Sequence, residues 1–221
     1  ITINKRWKYH SDAIESNTEN TRDIQLHVND TMTVGDGLSD EVVVEFTVKN
    51  SQQAIEWLLK HGVEFSPAQS KSRDSSWNFD LTQEAGHSTR RILHVADETG
   101  RAVSDQLIAK VIAHPNIIKY EHYFAIDLIV DNCACYGAYL LKDQQREVTE
   151  VMAGATVLAT GGAAGLYDGT TSPYKATGDG MAMALRAGCT LKNMEFTQFH
   201  PTTFYHPDSP PFLISEALRG E

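Results

Sequence analysis

The run Glu84-Ala85-Gly86-His87-Ser88-Thr89-Arg90-Arg91-Ile92-Leu93-His94 packs acid, imidazole, hydroxyl and guanidinium groups around one glycine. That density suits an anionic ligand approached closely by backbone, although each His or Arg taken singly also reads as a surface or structural group. Further on, Met194-Glu195-Phe196-Thr197-Gln198-Phe199-His200-Pro201-Thr202 alternates, so that Gln198 and His200 share a side of an extended chain. An amide and an imidazole side by side can hold and polarise a carboxylate. The bland alternative is a core strand with a satisfied histidine.

Two glycine motifs point to a nucleotide. In Thr156-Val157-Leu158-Ala159-Thr160-Gly161-Gly162 an apolar run ends in glycines, as a buried parallel strand does when its carboxyl end must let a ligand touch the backbone. A simple strand-to-turn junction would look the same. In Thr177-Gly178-Asp179-Gly180-Met181-Ala182 an acid sits between glycines at a helix start, where backbone N–H groups can face a pyrophosphate and the carboxylate can accept from sugar hydroxyls. Asp179 could equally be a plain helix cap. The two motifs lie some twenty residues apart, and together they favour a flavin site.

The elements that must position these residues change character along the chain. Residues 1 to 25 show no period and read as loop. Ser39-Asp40-Glu41 resembles a helix start, and Ser51 can cap a second helix with Ala54, Ile55, Leu58 and Leu59 on one face, ended by Gly62. Residues 66 to 86 read as a long loop or irregular hairpin. A helix is expected from about Val103 to Ala113, with Val103, Leu107, Ile108, Val111 and Ile112 inward. Beyond Pro115 strands are expected at Ile117 to Glu121, Phe124 to Val130, Cys135 to Leu141, Glu147 to Met152 and Ala155 to Thr160, followed by a helix from Asp179 to Ala187.

Composition narrows the classes. The 221 residues are 41% hydrophobic and 22% charged with a net charge of −10, which fits a globular chain and argues against nucleic acid as a partner. No apolar run reaches the roughly 18 to 20 residues of a membrane helix, so no membrane association is expected. The three cysteines, Cys133, Cys135 and Cys189, suit neither a zinc site nor a disulfide framework; no metal is expected, and thiols in a reducing cytoplasm are.

Taken in order, several blocks resemble the L-aspartate oxidase family, within the larger group that includes the flavoprotein subunits of succinate dehydrogenase and fumarate reductase. They are Asp30-Thr31, Gly35-Asp36-Gly37-Leu38-Ser39-Asp40-Glu41, Gly86-His87-Ser88 with Arg90-Arg91-Ile92-Leu93-His94, His114-Pro115-Asn116-Ile117, Gln198-Phe199-His200-Pro201-Thr202, and Ser215-Glu216-Ala217-Leu218-Arg219-Gly220-Glu221. The resemblance implies an α/β, two-dinucleotide-fold FAD-binding domain with a small β-meander. It implies that this domain spans residues 1–193 without its first βα unit, and that an α+β capping domain begins at 194–221.

It also implies roles. Thr160, Gly161, Gly162 and Asp179 would contact FAD, with Phe124 and Ala125 near the adenine. Glu84 would orient the amino group of L-aspartate, while Gln198, His200 and the Ser215 hydroxyl would hold its carboxylates. The reaction implied is hydride removal from the aspartate α-carbon to the flavin, giving iminoaspartate, with oxygen or fumarate as acceptor. This is the first step of NAD synthesis, and it implies quinolinate synthase as a partner. The nearest rival is a fumarate reductase or succinate dehydrogenase flavoprotein, and a second is a non-catalytic remnant of the fold.

Departures from the family pattern carry their own expectation. Ala85 stands where the family usually has glycine, Thr89 where it has histidine and Ser215 where it has threonine. The G-x-G-x-x-G turn and the proton-transferring arginine of the family are not in this sequence, both ends read as truncations, and the chain alone is expected to be inactive.

Overall fold

The computed structural model describes residues 18–68, 78–143, 146–172, 174–200 and 202–214. These divide into two compact units, one drawn from residues up to Ile117 and the other from Ile118–Ile214.

The first unit begins with α1, Thr18–Gly35. Residues 18 to 25 are therefore helical rather than loop. The inward stripe explains the difference: Asp23, Ile24, His27, Val28 and Thr31 recur at helical spacing and are buried or half-buried, but three of the five are polar. Asp40 then starts α2, Glu41–Lys60, by accepting from the backbone N–H groups of Val42 and Val43, a cap worth about 1 kcal/mol. This helix runs unbroken through Ser51, whose hydroxyl donates to the Val48 carbonyl instead of starting a second helix. The buried stripe Val48–Ile55 continues across that position and overrides the local preference for a cap.

Gly62, with φ of +89°, closes α2. Its N–H bonds the Leu59 carbonyl and that of Val63 bonds Leu58, the paired bonds of a Schellman end. Val63 thereby enters a core of Ile55, Phe65 and Leu93, on which Leu58, Leu59, Phe79, Leu81, Val95 and Val103 pack. A two-residue ladder joins β1, Leu81–Thr82, to β2, Ile92–Leu93. Helix α3 runs Thr99–Ala113. Val103, Leu107 and Val111 are half-buried, whereas Ile108 and Ile112, expected inward, are exposed.

The second unit is built on a three-stranded antiparallel meander, β3 (Tyr123–Asp131), β4 (Ala134–Lys142) and β5 (Glu147–Met152). Asn132 and Cys133 form its first turn with φ of 46° and 62°, the left-handed pair that a two-residue hairpin loop requires. The expected strand at 117 to 121 is not formed: Ile117 and Ile118 are exposed and no described strand pairs with them. Nor does Ala155 to Thr160 join a ladder, and Val157 is 86% exposed. A parallel strand needs neighbouring strands to satisfy its backbone, and no described strand pairs with this run. After the short turn Ala164–Leu166, α4 spans Asp179–Arg186, and β6 (Thr203–His206) pairs with β7 (Ser209–Leu213).

Candidate functional site

Within the second unit the two glycine motifs meet. The Gly178 N–H bonds the Gly162 carbonyl at 3.1 Å, and the Gly165 N–H bonds Ala176 at 2.9 Å. Gly180, in the first turn of α4, lies so close to Thr160 that any Cβ there would overlap the threonine hydroxyl. The strand-end turn and the helix start are thus one packed feature. Gly161 faces open space at φ +75°, where a backbone can approach a ligand without a Cβ in the way.

Helix α4 begins at Gly178 in the left-handed conformation with no side-chain cap. Its first-turn N–H groups and the positive end of its dipole are therefore available to an anion. The Asp179 carboxylate accepts from the Thr177 hydroxyl at 3.1 Å, which fixes it at that terminus. At the far end of the helix, the Arg186 guanidinium donates to Asp127 at 2.7 Å and to the Ile126 carbonyl at 3.1 Å. This ties α4 to β3 beside Phe124 and Ala125. These residues fit part of a dinucleotide: an open glycine turn, an uncapped helix terminus and one acid.

A second feature of the same unit is a cleft of about 220 Å³. Gln198 and His200 both line it, facing Tyr167, Asp168 and the hydroxyl-bearing run Thr170, Thr171 and Ser172. The Thr202 N–H donates to His200 Nδ1 at 3.3 Å, the Thr202 hydroxyl lies 2.9 Å from the same nitrogen, and Nε2 is buried. The Tyr167 and Phe199 rings meet edge to face at 6.0 Å, and the Tyr167 and Thr197 hydroxyls are 3.3 Å apart. An amide, an imidazole and several hydroxyls together form a polar lining suited to carboxylates. Asp168 supplies the opposite charge, suited to an ammonium group. Reading the sequence missed the 167–172 wall; its signal is a hydroxyl-rich run between the two glycine motifs.

Glu84 belongs to the first unit, half-buried at the head of a turn in which its carbonyl accepts from the His87 N–H at 3.1 Å. Around that turn the ionisable residues that read as suited to an anionic ligand pair with one another and with Asp30 of α1. Arg91, only 2% exposed, donates to Asp30 of α1 at 2.6 Å and to His87 Nδ1 at 3.2 Å. Partial burial pushes the Asp30 carboxyl up, but the Ser88 N–H, the Arg91 guanidinium and the Ser88 hydroxyl together hold it below the usual range. His27, 7% exposed, is held down to about 4 by burial first and by the Arg91 charge second. Burial and Arg91 lower His87 as well. Ser215 lies outside the described residues.

A family model described as FAD binding domain matches residues 11–221, and the chain belongs to that family. Its fold is that of the FAD-binding domain of fumarate reductase and succinate dehydrogenase flavoproteins. The E. coli quinol fumarate reductase structure superposes with a TM-score of 0.75 at 28% identity, over 95% of this chain and 34% of that one. Sdh1 of Mycobacterium smegmatis gives a TM-score of 0.77 at 26% identity, over 99% and 37%.

Among curated relatives the similarity is to L-aspartate oxidases. L-aspartate oxidase 1 of Ralstonia nicotianae is 51% identical over 201 residues, 88% of this chain and 37% of that protein. The Pseudomonas aeruginosa enzyme is 45% identical over 210 residues, 92% and 39%. The chain thus spans less than half the length of these relatives. Among the described residues no helix is long and apolar enough to cross a membrane.

Proposed function

We propose that this chain is part of an FAD-dependent L-aspartate oxidase that converts L-aspartate to iminoaspartate, with oxygen or fumarate as acceptor, at the entry to NAD biosynthesis. The observation that carries the reading is the cleft lined together by Gln198, His200 and Asp168. At about 220 Å³ it is smaller than a drug-sized pocket and suits a short diacid.

FAD, when bound, supplies the hydride acceptor. Thr160, Gly161, Gly162 and the first turn of α4 would present backbone N–H groups to it, and Asp179 would accept from its hydroxyls, with Phe124 and Ala125 toward the adenine. The Gln198 amide and the His200 imidazole would fix one carboxylate, and orientation of the α-carbon is what such contacts contribute to rate. The roles of Glu84 toward the amino group and of Ser215 toward a carboxylate rest on the family resemblance. So do the finer architecture, with residues 1–193 as an FAD-binding domain lacking its first βα unit and 194–221 opening a capping domain, the cytoplasmic location and a quinolinate synthase partner.

The test completes the chain to the length of its relatives with its own flanking sequence, loads FAD and measures aspartate-dependent peroxide. Peroxide formed without an electron-transfer partner is the expected result. Gln198→Ala and His200→Ala should each lower kcat/KM for aspartate by about 10- to 100-fold, the loss expected for a hydrogen bond to a charged group. Oxidation of succinate in place of aspartate would favour the respiratory rival. Absence of a flavin absorbance band after FAD is supplied would favour a non-catalytic remnant.

A further inference from the structure

Helices α1 and α2 of the first unit pack on each other and line a cavity of about 270 Å³. Helical spacing sets the lining. His27 and Thr31 stand one turn apart on α1, and Val43, Thr47 and Ser51 follow one another at four-residue steps on α2, with Val48 beside them. His27 and Val48 are buried, at 7% and 4% exposure, whereas Val43 and Thr47 are exposed. The cavity thus has a closed floor and an open mouth.

Every hydroxyl in the lining is already committed as a donor. Thr31 donates to the His27 carbonyl at 2.9 Å, Thr47 to that of Val43 at 2.8 Å, and Ser51 to that of Val48 at 2.8 Å. What these groups can still offer a guest is oxygen lone pairs. The His27 ring lines the same space, and its buried Nδ1 has no hydrogen-bond partner among the described residues. A buried polar atom left unpaired is a standing cost that a partner relieves. No acid, lysine or arginine contributes to the lining, and His27 itself is neutral at ordinary pH, because burial and then the Arg91 charge hold its pKa at about 4. A charged guest would give up its water here without meeting a counter-charge.

We propose that the cavity between α1 and α2 is a binding site for a small uncharged molecule of the phenol class, with its ring against Val43 and Val48 and its hydroxyl toward His27 and the threonine and serine oxygens. The volume falls just below the range of drug-sized pockets, so a single ring suits it and a nucleotide does not. The site lies wholly within the first unit. None of its residues is among those assigned above to FAD or to aspartate, so the inference goes beyond the functional reading and does not depend on it.

The experiment titrates phenol, and toluene as its counterpart without the hydroxyl, into the protein completed to its relatives' length with FAD in excess. Affinity is followed by NMR with 15N-labelled histidine. Phenol should bind saturably with a Kd of about 1 mM or tighter, and toluene about tenfold more weakly, the loss expected for one hydrogen bond. Phenol, but not toluene, should shift the His27 Nδ1 resonance. Thr47→Phe, which fills the exposed mouth, should abolish binding of both, and His27→Phe should bring the two affinities within twofold of each other. Absence of saturable phenol binding, or binding that survives Thr47→Phe, overturns the site. Equal affinity for phenol and toluene in the unaltered protein, or a preference for phenol that persists in His27→Phe, overturns the assigned chemistry. Should His27→Phe fail to fold, the Nδ1 shift in the unaltered protein decides the same point.

Discussion

His27 shows how a single buried group should register in solution. Its Nδ1 has no hydrogen-bond partner among the described residues, and its pKa is held to about 4, chiefly by burial and then by the charge of Arg91. An unfolded histidine titrates near 6.5, so between those values the unfolded chain takes up a proton that the folded chain refuses. Stability from this residue is therefore complete above about pH 6.5 and is lost as pH falls toward 4, at up to ~1.4 kcal/mol per pH unit. His87, also lowered, adds in the same direction, whereas Asp30, lowered as a carboxyl, begins to cost stability only below the usual carboxylate range. Urea midpoints followed by circular dichroism from pH 7.5 to 4.5 should fall steadily, and His27→Gln should flatten part of that slope. An unchanged slope would remove His27 from the account. At this scale the sequence was partly legible. Residue types flagged Gln198 and His200 because their pairing is local, but the Asp30–Arg91 contact spans 61 positions and no local pattern announces it.

Among the elements, α4 makes the sharpest prediction. Gly180 accepts Thr160 against its bare Cα, so Gly180→Ala must push that threonine, and the Thr160–Gly162 turn with it, away from the helix start. FAD retention, read from flavin absorbance after gel filtration of the protein completed to relative length, should fall by tenfold or more. Adding Thr160→Ala, which removes the colliding hydroxyl and methyl, should restore most of it; no restoration would mean that the glycine matters for some other reason. The spacing of glycines around an acid was enough to foresee this helix, because the turn and the cap are local chemistry. Helix α1 was not foreseen, since three of the five residues in its inward stripe are polar and look like loop. Helix α2 was read as two because Ser51 is a good cap in isolation, and the apolar stripe around it, a tertiary effect, decided otherwise. The run from Ala155 to Thr160 was read as a buried strand from its apolar character. That reading concerned partners as much as residues, and among the described strands none pairs with it.

For the whole molecule the decisive quantity is apolar surface left uncovered. Val42 is 77% exposed and Phe46 68% on the amino-terminal half of α2, and Phe199 is 75% exposed beside the candidate cleft. Val42 and Phe46 stand four positions apart and so share a helical face, with Val43 (59% exposed) adjoining it. Scattered exposed hydrophobics are ordinary, but a contiguous group of this kind marks a contact surface. The relatives are longer by more than half of their own length, so structure beyond these residues is the natural cover for such a face. The 221-residue chain expressed by itself should therefore bind an apolar dye such as ANS strongly and self-associate as its concentration rises, as seen by sedimentation velocity. Replacing Val42 and Phe46 together by Ser should reduce both signals with little loss of helical circular dichroism, because neither side chain is used in the core of its own unit. Completion to relative length should reduce them too. A monomeric chain with no dye signal would mean that this face is already satisfied, and the need for additional structure would then have to rest on the FAD cradle alone.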